Sequence, residues 1–356
     1  MSSLACRMWL LWSVLAGLIW AAEPQPAQAQ GEPIRIKVVG GLAGIPQYTR
    51  HEAPFWLERV PRLTGGRVQA EIAPFDGSGM RPHEMLHLMR LGVIGFGTVL
   101  LSVAAPDDPE LNAADLPGLN PDIERLRVHT AAYRPRLAAI LADRYDSELL
   151  AIYTYPAQVL FCTGAFSGLT DMAGRRVRTS SVAQADLMEA LGARPIIIPF
   201  AQIVPAIRGG LVDCAITGTL SGFAIGLHEV TSHVHMMAIS WGLSAFAVHR
   251  PTWRALPADV RDALRRGLAE LEAEIWRAAE RETEEGLQCN AGQAGCPAGR
   301  VGRMRLVPVS ADDEARRSRL LREVVLPRWL DRCGPGCADA WNATLAPLTG
   351  LELTAP

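Results

Sequence analysis

The stretch Arg176–Thr217, RVRTSSVAQADLMEALGARPIIIPFAQIVPAIRGGLVDCAIT, decides the fold. Arg176 to Thr179 reads as a strand, Val182 to Leu191 as a helix, Pro195 to Ile198 as a strand, Ala201 to Arg208 as a helix and Leu211 to Thr217 as a strand. Such alternation argues for a mainly parallel sheet with helices on both faces.

A similar series lies upstream. Ile34 to Val39 reads as a strand, followed by a turn with Gly40, Gly41 and Gly44. From Pro46 to Leu63 the apolar positions Ala53, Trp56, Leu57, Val60 and Leu63 keep the helical period, although Pro61 weakens the last turn. Val68 to Pro74 is a strand, Phe75 to Gly79 a loop, Pro82 to Leu91 a helix with Gly92 as its C-cap, and Val93 to Leu101 a buried strand. Residues 112–150 read as helical, and the second series starts near Ala151. After Trp253 a helix is expected from Pro257 to about Leu287, with Val260, Leu264, Leu268, Leu271 and Ile275 on one face. At 1.5 Å per residue it is about 45 Å long, more than one small lobe needs, so it is expected to run across two lobes. A cleft between the lobes follows as an expectation.

Composition narrows the partners. The 356 residues hold 35 basic and 37 acidic side chains, and a net charge of −2 provides no field for nucleic acid or an anionic membrane. Lys37 is the one lysine, so arginine carries almost all of the positive charge. Arg7, the apolar run Met8 to Ala22 and the small-residue stretch ending Ala27-Gln28-Ala29 have the form of a secretory signal peptide, residues 1–29. The run is short of the roughly 20 residues of a membrane span, and the mature protein is expected to be exported and periplasmic.

Six cysteines follow that segment, and an oxidising compartment favours pairing. Cys289 and Cys296 flank a Gly-containing loop and Cys333 and Cys337 flank Gly-Pro-Gly, so both pairs read as local disulfides. The alternative, a four-cysteine zinc site, fits these intervals poorly. Cys162 and Cys214 lie in apolar strand sequence and read as buried thiols. In His228–His235 the first two histidines are one residue too far apart for the H-E-x-x-H metal motif, so no metal is assigned. There is no G-x-S-x-G elbow, Walker loop or strand-linked G-x-G-x-x-G, which leaves the enzyme hypothesis without a nucleophile and implies no cofactor.

Several segments resemble the solute-binding proteins of tripartite ATP-independent periplasmic (TRAP) transporters, of the DctP-like kind. Val60–Val68, VPRLTGGRV, is similar to that family's LTGGRV element, and Leu169–Arg178, LTDMAGRRVR, to its DLKGLKIR segment. Ala190-Leu-Gly-Ala-Arg-Pro195, Pro199-Phe200, Ala206–Asp213 and Leu256-Pro257-Ala258-Asp259 match further elements in order. The resemblance implies a two-lobed α/β periplasmic-binding-protein-like fold, with a ligand cleft between the lobes and a long helix spanning both. It divides the chain into 31–152 plus about 241–270, and 153–240 plus about 271–356. The function implied is capture of a small organic acid by hinge closure and delivery to the membrane permease subunits, with no enzyme activity; the alternatives are an exported enzyme or a ligand-sensing subunit on the same two-lobed fold, and a monomer is expected.

Arg178 falls on the arginine that holds the ligand carboxylate in that family, and a guanidinium suits the task because its fork pairs with carboxylate bidentately and stays charged without water. It stands at a strand end before the helix near Ser181, where ligands of open α/β sheets lie. Two departures affect ligand choice. Thr217 stands where an asparagine-type contact is usual, and Gln158 is the amide in a stretch where an arginine is common. Gln158, Thr217 and Ser181 are therefore expected as secondary polar contacts, and Trp241, Tyr48 and Phe75 as aromatic walls. One strong cation suits a monocarboxylate better than a dicarboxylate.

Overall fold

The computed structural model describes residues 32–77, 79–297 and 302–354, so the signal segment 1–29 lies outside the described residues. The strands, in chain order, are β1 (Ile34–Gly40), β2 (Val68–Pro74), β3 (Phe96–Leu100), β4 (Ser147–Thr154), β5 (Gln158–Cys162), β6 (Arg176–Thr179), β7 (Arg194–Ile197), β8 (Cys214–Gly218), β9 (His233–His235), β10 (Leu243–His249) and β11 (Arg305–Val307). They sort into two sheets, ordered β2-β1-β3-β10-β4 and β11-β9-β5-β8-β6-β7.

Each sheet has a parallel core from its strand–helix series, β2-β1-β3 in one and β8-β6-β7 in the other. β9 and β11 also pair in parallel, while antiparallel strands inserted in both sheets qualify the mainly parallel expectation. β10 runs antiparallel to both β3 and β4, and β5 runs antiparallel to both β8 and β9. The cause is topological: β10 follows five strands of the second sheet in sequence, β5 to β9, yet returns to the first, so it enters from the opposite direction. The chain thus crosses between lobes after β4 and again before β10. The two crossings are joined where Gln158 N donates to Ser240 O and Ile239 N donates to Gln158 O, both at 2.8 Å.

Other local departures have simple causes. The segment 47–63 is helical but wide-turned at Gln47–Glu52 and Phe55–Arg59, on either side of Pro54, which has no N–H for an ordinary helical bond. Its buried face is Phe55, Trp56 and Val60, whereas Leu57 and Leu63 are exposed. Residues 112–150 are not one helix: the helix proper is Ile123–Tyr145, capped by the Asp122 side chain, and β4 begins at Ser147.

The long helix is Ala258–Ala291. Val260, Leu264, Leu268, Leu271 and Ile275 join the core of the first sheet, and Trp276, Ala279 and Leu287 pack into the other main core. At about 50 Å it reaches both lobes, as its length requires. Trp276 Nε1 donates to Ile152 O (2.8 Å), Thr219 Oγ1 to Glu282 O (3.2 Å) and Asn290 Nδ2 to Thr219 O (3.0 Å). Gly286 makes this approach possible, because a Cβ there would collide with the backbone of Thr219 and Leu220. Beyond β11, helices Ala311–Leu320, Leu326–Cys333 and Pro335–Thr344 close the fold, and Trp329 Nε1 donates to Pro109 O while Arg332 pairs with Asp186.

Cys289–Cys296 and Cys333–Cys337 are disulfides. Cys162 and Cys214 form a third, which corrects the reading of buried thiols. They are 52 residues apart in sequence but directly opposite in the antiparallel β5–β8 register, a neighbourhood that only strand pairing creates. Among the described residues no group of three or more His, Cys, Asp or Glu is placed to hold a metal ion, and no helix is long and apolar enough to cross a membrane.

Candidate functional site

A cavity of about 450 Å³ lies between the two sheets, at the strand ends. The first lobe lines it with Leu42 and Ile45 from the loop after β1, Phe75 and Asp76 from the turn after β2, Met80, His83, and Leu100 at the end of β3. The second lobe contributes Gln158, Arg178, Ser180, the run Ile197–Gln202, and Thr217. Most of this wall is apolar, the usual make-up of a small-molecule site in which few polar groups set orientation.

Arg178 is the cation in the lining, and it is 3% exposed. β6 pairs with β7 on one side and β8 on the other, and both neighbours hold the side chain: Nε donates to Ile198 O at 2.8 Å and Nη1 to Ile216 O at 2.6 Å. Carbonyl oxygens orient the guanidinium without neutralising it. No carboxylate pairs with Arg178 among the described residues, and burial lowers its pKa to about 9. An arginine keeps its proton in proteins, so the site holds a fixed positive charge that a ligand carboxylate would compensate.

The polar residues around it form one connected chain. Ser180 N and Oγ donate to Gln184 Oε1 (2.9 and 3.1 Å), and Gln184 Nε2 donates to Gln158 Oε1 (2.8 Å) and Ser240 Oγ (2.9 Å). Gln158 Nε2 in turn donates to Trp241 O at 3.2 Å. The Asp115 carboxylate then grips the same crossover, accepting from Trp241 N (3.1 Å), Gly242 N (2.6 Å) and Asn120 Nδ2 (3.4 Å). Burial raises the Asp115 pKa to about 7, opposed by those hydrogen bonds. Gly242 has φ 87°, and a Cβ there would collide with Gln158 Nε2, so the crossover needs glycine for both conformation and space. The floor of the cavity is thereby tied to the crossover between lobes.

The first-lobe wall is fixed by another buried carboxyl. Glu52 accepts from Gly41 N (2.9 Å), Gln47 Nε2 (2.8 Å) and Thr98 Oγ1 (2.9 Å), fastening the glycine turn after β1 to its following helix and to β3. Burial raises its pKa as well.

Of the residues singled out from sequence, the cavity brings together Arg178, Gln158, Thr217 and Phe75. Ser181, Trp241 and Tyr48 stand outside its lining. The Ser181 hydroxyl accepts from Gln184 N as the cap of helix Val182–Ala190, so Ser180 faces the cavity instead. Trp241 is buried with Nε1 donating to Asn120 O, and the crossover presents Gly242 to the cavity. Tyr48 packs on Gly40, its hydroxyl 3.5 Å from Ile72 O. Sequence reading missed Asp76, His83 and Gln202, which stand in the short 3-10 turns Phe75–Gly77, Pro82–Glu84 and Phe200–Gln202, too brief for a periodic pattern to show which side chain faces the cavity. A signal did exist for Ile198 to Phe200, in the Pro199-Phe200 element.

This is the architecture of a two-lobed solute receptor, and similarity to known proteins agrees. Residues 45–295 match the DctP family, described as "Bacterial extracellular solute-binding protein, family 7", and the chain belongs to it. The "C4-dicarboxylate-binding periplasmic protein DctP" of Rhodobacter capsulatus is 26% identical over 263 residues, covering 73% of this chain and 78% of the relative. Among solved structures, the Bordetella pertussis extracytoplasmic solute receptor DctP6, binding pyroglutamic acid, has a TM-score of 0.77 at 20% identity and covers 87% of this chain and 98% of that one. A TRAP periplasmic solute-binding protein from Rhodoferax ferrireducens with bound malonate has a TM-score of 0.74 at 19% identity, covering 88% of this chain and 99% of that one.

Proposed function

We propose that this chain is the substrate-binding subunit of a TRAP transporter, which captures a small monocarboxylate between its lobes by hinge closure and delivers it to the membrane permease subunits. The observation that carries this reading is Arg178, a buried guanidinium in the inter-lobe cavity that pairs with no carboxylate among the described residues. A carboxylate ligand supplies the missing charge and a bidentate match, and closure removes the water that would screen the pair. One cation is enough for one carboxylate, and the apolar lining from Leu42, Ile45, Phe75 and Phe200 suits a ligand with a hydrocarbon body. The DctP family and the acids named for its relatives support the carboxylate.

Residues 1–29 are the export signal in this reading, removed to leave a periplasmic monomer. One lobe comprises 31–152 with about 241–270, the other 153–240 with about 271–356; the sharing of one sheet by β1–β4 and β10 supports this division. Closure is a hinge motion at the crossovers.

The test is a thermal-shift screen of organic acids on the purified mature chain, followed by calorimetry and small-angle scattering. At least one monocarboxylate is expected to bind with 1:1 stoichiometry and to reduce the radius of gyration. An absence of both stabilisation and compaction across mono- and dicarboxylates would overturn the proposal.

A further inference from the structure

Arg178 has a counterpart of opposite sign on the facing wall. Asp76 lines the same cavity from the turn after β2, and its Oδ1 accepts the Ala43 N–H at 3.0 Å. That bond joins two first-lobe loops and orients the carboxylate. Among the described residues Asp76 has no ion-pair partner. Glu52 lies behind this wall, fully buried, its oxygens occupied by neutral donors and its pKa raised by burial, so Asp76 is the acidic group that the wall presents to the cavity. One wall of the cavity is therefore cationic and the other acidic.

This polarity discriminates between ligands. A dicarboxylate anchored on Arg178 and reaching across would set its second carboxylate against Asp76, which is exposed in this structure, and the two like charges repel more strongly once closure of the lobes removes water. A hydroxyl, N–H or ammonium at the same position would donate to the unoccupied Asp76 oxygen. Resting on the receptor reading above, we propose that Asp76 is the specificity pole of the cleft: it selects a monocarboxylate whose far end carries a hydrogen-bond donor and excludes dicarboxylic acids. Selection of this kind combines an attractive contact for one ligand with a repulsive one for its competitor.

The test is calorimetry with acids of matched chain length: valerate, δ-hydroxyvalerate, δ-aminovalerate and glutarate, with the three- and seven-carbon counterparts of each. Every titration is run at one fixed pH, so that the comparison between acids and variants is made at constant charge. Within the best-bound chain length, wild type is expected to hold a donor-bearing acid at least about tenfold tighter than the diacid. Asp76→Asn keeps the oxygen that accepts from Ala43 but removes the charge. It is expected to narrow that ratio at least about tenfold, mainly by admitting the diacid, and to change affinity for the plain monoacid by no more than about twofold. An unchanged ratio in Asp76→Asn, or a wild type that prefers the diacid, overturns the inference. Arg178→Ala separates the two levels. If it abolishes binding of every acid while Asp76→Asn leaves the ratio intact, the specificity pole alone fails. If no acid binds wild type, or Arg178→Ala binds as wild type does, the receptor reading fails with it.

Discussion

Replacing Arg178 with alanine should weaken carboxylate binding without unfolding the receptor, and the two effects can be estimated separately. In the complex the variant loses a buried, bidentate, charge-assisted contact, and truncating one partner of such a pair costs at least about 2 kcal/mol, or about thirtyfold in affinity. In the ligand-free protein two changes oppose each other. Removing an unpaired buried charge relieves a desolvation penalty, the same penalty that lowers the Arg178 pKa to about 9. The carbonyls of Ile198 and Ile216 lose their donors, at about 1 kcal/mol each. The thermal midpoint of the free protein should therefore move by only a few degrees. Arg178→Lys keeps a charge but loses the planar fork, so its affinity should fall between wild type and alanine. Calorimetry gives the affinities, and thermal unfolding without ligand gives the stabilities. Wild-type affinity in Arg178→Ala would refute the reasoning. So would a free protein destabilised by more than about 4 kcal/mol, because that would make Arg178 a structural strut rather than a waiting counter-charge.

Three further outcomes are expected. Ser181→Ala removes the cap of helix Val182–Ala190 and should cost about 1 kcal/mol of stability in denaturant melts, with ligand affinity nearly unchanged; a loss of affinity larger than the loss of stability would put the hydroxyl on the ligand. Removing the Cys162–Cys214 bridge by double alanine substitution frees a 52-residue loop in the unfolded chain and should cost about 4 kcal/mol, and an unchanged urea midpoint would count against the bridge. Asp115, with its folded pKa raised from 3.8 to about 7, contributes stability that is fully present below about pH 4 and is lost as pH rises through 7. Asp115→Asn should flatten that segment of the stability–pH curve, and a variant curve parallel to wild type would contradict the assignment.

Legibility differed by the kind of signal each residue carries. The β1, β2 and β6 strands, the long helix and the two short-range disulfides rest on local pattern, and Arg178 could be singled out because it ends a strand and falls in a segment that resembles a family motif. The helix over 112–150 was overextended because Ser147–Leu150 has little local signal of its own, and becomes strand by pairing with β10. For Ser181 the sequence shows a serine at a helix start but not which of two adjacent serines faces the cavity. Trp241 was misplaced for a related reason: a tryptophan beside a glycine marks a special backbone, but the glycine, not the ring, borders the cavity. Asp76 carried no pattern at all.

By itself the sequence determined the alternation of strands and helices, the balanced charge, the length of the spanning helix and the one arginine worth following. The first three are properties of periodicity and composition, written over windows of a few turns or strands; the arginine came from the resemblance of its segment to a family motif. Only tertiary structure decided that β10 returns antiparallel to the first sheet, that Cys162 meets Cys214, and that Arg178 and Asp76 line one cavity. Each of these joins residues tens of positions or more apart, through strand pairing or lobe packing, and such a contact leaves no trace in the local spacing of either partner.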